Sequence, residues 1–149
     1  MSPDGKSTPT QRARADVDMR LGALPKPTQI IRPIDLAAGT HEDLAARLGE
    51  LAELVEWLET EAAGALAEAD DAEDAAERAL DGAIGKAEGR DAAARAANAR
   101  TQREVVAATE AALFKRHVAK MLQARLRGLV RKYDAVAAVL SPRRAIYGR

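Results

Sequence analysis

From Leu44 onward, apolar residues recur at alternating steps of four and three: Leu44, Leu48, Leu51, Val55, Leu58, Ala62, Ala65, Ala69, Ala72, Ala76, Ala79 and Ala83. This is the seam of a coiled coil, sustained over about five heptads. It predicts one long helix over 40–81. Thr40 is placed to cap its start, with Asp43 three residues on in a capping-box arrangement and acids in the first turn facing the helix dipole. Leu and Val early in the row give way to Ala, so a partner helix approaches more closely toward the far end.

A second helix is predicted over 91–140. Leu122, Leu126, Leu129, Tyr133, Val136 and Leu140 keep the same rhythm, but joining them to Ala107, Ala111, Phe114 and Val118 takes two successive steps of four, a local stutter. Ser141-Pro142 is expected to stop the helix, since proline disfavours helical geometry in the residue before it. Between the helices lie Gly82, Gly85 and Gly89. Each glycine costs about 1 kcal/mol relative to Ala inside a helix, so 82–90 reads as the tip of a hairpin. A fold centred on Gly85 sets Leu44–Leu58 against residues from about Glu110 to Arg127 and leaves Arg131–Leu140 overshooting.

The polar residues 1–20 have almost nothing apolar to bury and are expected to form a flexible tail. Residues 21–39 carry Pro25, Pro27 and Pro33 around Ile30, Ile31 and Ile34. That reads as an extended arm covering the overshoot. Residues 141–149 are left as a basic tail. The expected fold class is therefore all-α: an antiparallel two-helix coiled-coil hairpin with an extended Pro-containing N-terminal arm, self-associating through Leu54 and Trp57, which flank the first seam.

Composition sharpens this picture. The chain of 149 residues is 47% hydrophobic but only 3% aromatic, with Ala supplying half of the apolar count, so a thick globular core is ruled out. No apolar run reaches the 18 or so residues that read as a membrane-spanning helix, and the first residues lack the apolar segment of a secretory signal, which points to a cytoplasmic protein. With no cysteine, disulfides and thiolate chemistry are excluded.

The formal net charge of zero conceals a segregation. Residues 41–81 hold 14 acids against Arg47 and Arg78, whereas residues 115–149 hold 10 bases against Asp134 alone. The basic segment, with Arg125, Arg127, Arg131, Lys132, Arg143, Arg144, Tyr147 and Arg149, is the candidate contact for nucleic-acid phosphates or a protein partner. The competing reading is that these cations face glutamates across the hairpin and only set its register. The carboxylates Asp70, Asp71, Glu73, Asp74 and Glu77 read as a solvated acidic face, with no histidine or loop to complete a metal shell. His41 and His117 lack metal-pair spacing and have no nucleophile beside them in a recognisable turn. No catalytic residue, metal or cofactor is expected.

Arg32-Pro33-Ile34-Asp35-Leu36, Leu44–Leu58, Glu73–Ala83, Gly89-Arg90 and Leu122–Val139 together resemble small helical-hairpin proteins of bacteriophages that infect high-GC actinobacteria. The resemblance is one of pattern and covers about residues 32 to 140. It implies a non-catalytic phage or prophage accessory protein, encoded near recombination and replication genes and acting through protein partners or nucleic acid in the host cytoplasm. The alternative is a structural virion or assembly protein that packs through its hairpins.

Overall fold

The computed structural model describes residues 8–22 and 39–147, with the side chains of residue 9 and of 143–147 left aside. The described residues are all-helical, with no strand. Four helices follow in order: α1 (Pro9–Gly22), α2 (His41–Lys86), α3 (Ala92–Arg100) and α4 (Arg103–Tyr147). Among the described residues no helix is long and apolar enough to cross a membrane. The Pro-rich segment with Ile30, Ile31 and Ile34 lies outside them.

α2 begins as its sequence predicts. The Asp43 amide donates to Thr40 Oγ1 at 3.1 Å, and the Thr40 amide donates back to Asp43 Oδ2 at 3.3 Å. Bonds from Thr40, the side-chain one first, hold the Asp43 carboxyl below its ordinary pKa. Every position of the predicted apolar row is buried or half-buried.

Several expectations are overturned. α1 occupies part of the expected flexible tail. Thr8 caps it, with the Gln11 amide donating to Thr8 Oγ1 at 3.2 Å and the Thr8 amide to Gln11 Oε1 at 2.9 Å, while Pro9 supplies a preset φ at the first helical position. Ala13 and Val17, one turn apart, are buried. Two small apolar residues were too faint a periodic signal to raise this helix from the sequence, although Thr-Pro-x-Gln announced its start.

The expected single second helix is two. α3 ends at Arg100 and is capped by Thr101, whose hydroxyl donates to the Asn98 carbonyl at 2.8 Å, and α4 begins at Arg103. At the other end, Ser141-Pro142 does not stop α4, which runs on to Tyr147 with Pro142 inside it. Proline's fixed φ is itself helical. What is lost is the bond from position 142 to the Ala138 carbonyl, and both residues are exposed, so water replaces it.

The expected row of α4 holds at Phe114, half-buried, and at Val118 and Leu122, both buried, but not before them. Ala107 and Ala111 are exposed, whereas Val105, Ala112, Ala119, Leu122, Val136 and Leu140 are buried, with Ala108, Lys115, Leu126, Leu129 and Tyr133 half-buried between them. These positions alternate by three and four without a break, with Lys115 standing in an otherwise apolar row.

The described chain divides into two compact units. In the first, built from residues up to Val17 and Ala63–Met121, Ala83, Ala99 and Val105 form a small cluster with Ala79, Leu80, Ile84 and Ala87 against it. In the second, built from Asp18–Ala62 and residues from Leu122 on, Leu44 and Leu51 pack with Val136 and Leu140, flanked by Leu48, Leu129, Tyr133 and Val139. Leu44 thus meets residues nearly two heptads beyond those expected, and Arg131–Leu140 is no overshoot. α2 and α4 have 46 and 45 residues, close to equal. The pairings within each unit centre on the start of α3, because α2 continues through Gly82 and Gly85 to Lys86 and leaves the turn to residues 87–91.

Candidate nucleic-acid interface

The ten bases that follow residue 114 divide by what they touch. In the first unit, Lys115 Nζ donates to Glu68 Oε2 at 2.5 Å. Arg116 forks onto the acidic run: Nε donates to Glu73 Oε1 at 2.6 Å, and Nη2 donates to Asp70 Oδ1 at 2.9 Å and also to Glu73 Oε2. These two half-buried cations, Lys115 within the α4 row and Arg116 beside it, are partners of the acidic helix. Asp70 and Glu73, read from the sequence as a solvated face, are in part an arginine seat.

The fork leaves an electrostatic mark. The bond from Arg116 holds the Glu73 carboxyl below its ordinary pKa, with the charges of Arg116 and Lys120 adding to the effect and desolvation opposing it. Arg116 is pushed up by the same two carboxylates. A depressed carboxylate contributes stability that is present above the unfolded pKa of about 4.3 and is lost as pH falls through the folded value. The melting temperature of the native chain is therefore expected to drop toward that of Glu73→Gln as pH falls below about 4, with the gap widest near neutrality. Parallel thermal melts across that range check it, and a gap independent of pH would show that the fork contributes nothing through charge.

In the second unit, Arg125, Arg127, Arg131 and Lys132 are all exposed, and none has an ion-pair or hydrogen-bond partner among the described residues. At 100° per residue, Arg127 and Arg131 lie on the side of α4 away from Leu122, Val136 and Leu140, while Arg125 and Lys132 lie about 100–160° round from them, on one flank of that apolar row. Asp134 is the only acid on this stretch of α4. Eight residues thus present four uncommitted cations, the arrangement that a phosphate backbone engages. The side chains of Arg143, Arg144 and Tyr147, and Arg149 as a whole, lie outside the described residues.

The proposed self-association residues are placed otherwise than expected. Leu54 is buried within the chain, 8% exposed, and Trp57 is half-buried. Two turns of α2 beyond Leu54, Arg20 at the end of α1 reaches Glu61 at 3.7 Å. Leu54 is therefore not open to a second copy. The large apolar residues that are exposed on α4 are Val106 at 41% and Leu113 at 52%. Val106 edges an open groove of about 460 Å³ in the first unit, walled by Ala76, Leu80 and Val105, with Glu77, Glu110 and Arg100 at its rim.

Among the described residues no three His, Asp or Glu side chains gather closely enough to hold a metal ion. His41 and His117 belong to different units. Comparison with protein-family models, curated proteins and solved structures finds no match to this chain.

Proposed function

We propose that this chain is a non-catalytic binding protein, an antiparallel coiled-coil hairpin of α2 and α4 whose basic face on α4 engages nucleic-acid backbone. The observation that carries the reading is the contrast between two groups of cations. Lys115 and Arg116 are consumed by the acidic helix, whereas Arg125, Arg127, Arg131 and Lys132 are exposed without a partner among the described residues. Contacts of this kind are indifferent to sequence, since a phosphate looks the same at every base pair. Such binding would serve phage or prophage DNA recombination or replication in the cytoplasm of the host, a reading supported by the pattern-level resemblance to actinobacteriophage proteins.

Fluorescence anisotropy of labelled duplex and single-stranded oligonucleotides, titrated at several salt concentrations, tests this. Each phosphate neutralised contributes about −0.9 to the slope of log Kobs against log salt, so four contacts give a slope of about −3.6 on duplex. Replacing Arg125, Arg127, Arg131 and Lys132 together by Glu is expected to abolish binding, while Lys115→Gln leaves the slope unchanged. Absence of binding at low salt would overturn the reading. A structural virion or assembly protein is the second reading, favoured by the exposed Val106 and Leu113 on one side of α4.

A further inference from the structure

The second unit carries two charged faces of opposite sign, and they do not neutralise each other. On α2, the carboxylates of Glu53, Glu56 and Glu59 are exposed with no ion-pair partner among the described residues; on α4 the same holds for Arg125, Arg127, Arg131 and Lys132. The apolar residues Leu44, Leu51, Val136 and Leu140 occupy the contact between the helices and turn both charged rows outward. From Glu53 to Glu59 is about 9 Å along a helix and from Arg125 to Lys132 about 10.5 Å, so the two rows match in length.

We infer that a second copy of this chain docks here, with the acidic α2 face of one copy laid on the basic α4 face of the other. Charge complementarity selects the occupant: each face is the counterpart that the other lacks within its own chain. The local relief suits helix-on-helix packing. Gly49 and Ala52 sit beside Glu53 and Glu56, and Ala124, Gly128 and Ala135 sit among the arginines, all of them exposed. A Cβ added at Gly49 or Gly128 would meet nothing within 4 Å, so the surface above both is open. Small residues at such positions let two helices approach to about 8 Å, and Glu53 and Glu56 then reach Arg127 and Arg131 as interhelical pairs. This interface shares Arg127 and Arg131 with the proposed nucleic-acid contact, so a docked copy and a phosphate backbone are alternative occupants of those two cations.

Sedimentation velocity on the nuclease-treated full chain tests it through charge reversal. The native chain is expected to associate with rising concentration at low salt and to disperse as salt rises. Glu53→Lys with Glu56→Lys, and separately Arg127→Glu with Arg131→Glu, are each expected to run as monomers with unchanged helical circular dichroism. Mixed in equal amounts, the two variants regain association, because one then offers only basic faces and the other only acidic ones. A native chain that stays monomeric at low salt, or a mixture that stays dispersed, would overturn the inference. Neither result bears on oligonucleotide binding, which is read separately.

Discussion

Leu140→Ala is expected to destabilise the protein by about 2–5 kcal/mol, the range for removing a fully buried leucine where neighbours relax only partly. Leu140 is 1% exposed and packs with Leu44, Leu51 and Val136. The substitution discriminates between two registers of the same pair of helices. In a hairpin turned at Gly85, Leu140 would project beyond the start of α2 and its truncation would stay within the half kilocalorie or so typical of surface positions. In the observed arrangement it is part of the core of its unit. Urea unfolding followed by far-UV circular dichroism measures the difference, and Leu113→Ala, at a residue 52% exposed, serves as the surface control. A cost for Leu140→Ala as small as that of the control would refute the packing described for the second unit.

Gly89→Ala is the second substitution with a large expected effect, and its sign sets it apart from the neighbouring glycines. A Cβ at residue 89 would lie 2.8 Å from the Arg95 amide nitrogen and 3.1 Å from the Ala94 carbonyl carbon. Those are backbone atoms of the first turn of α3, held in place by Asp91, whose side chain accepts from the Ala94 amide at 2.8 Å, and by Asn98, which donates to the Glu88 carbonyl at 2.8 Å. The clash cannot be relieved by rotating a side chain, so overpacking of about 1–3 kcal/mol is expected. Gly82 and Gly85, by contrast, lie inside α2 with open space where a Cβ would go. Alanine at either is expected to stabilise by about 0.5–1 kcal/mol, through helix propensity and a less flexible unfolded chain. Thermal melts of the three single variants check the contrast, and a stabilised Gly89→Ala would show that α3 does not sit against the loop.

These glycines show how far the sequence could be read at the bend. Three glycines at short spacing announce a weak point, but composition does not say which of them the turn requires. That depends on where backbone from another element arrives, and the arrival of α3 at Gly89 is a tertiary fact. The short α3 is itself hard to see, because an Ala-rich segment has no apolar stripe that stands out from its other faces.

The candidate site was legible to a similar degree. The basic residues of α4 could be named from the sequence, but their division into internal partners and free surface could not. In a hairpin centred on Gly85, Lys115 faces Glu56; in the structure it meets Glu68. The acidic helix offers a carboxylate in either register, so charge pairing leaves the choice open. A better signal lay in side-chain size: the Leu-rich Leu44–Leu58 matches the Leu-rich Leu122–Leu140, and the Ala-rich parts of both helices match each other.

By itself the sequence determined the helical class, the seam of α2 and its Thr40 cap, because periodicity and capping are local and each residue carries its share of the signal. The structure alone decided the register of α2 against α4, the helix at Pro9–Gly22, the burial of Leu54 and the exposure of Arg125, Arg127, Arg131 and Lys132. The physical reason is that a seven-residue slip leaves an alternating seam unchanged. Only the summed fit of large side chains to large, small to small, and the space taken by α3 separates one alignment from the next.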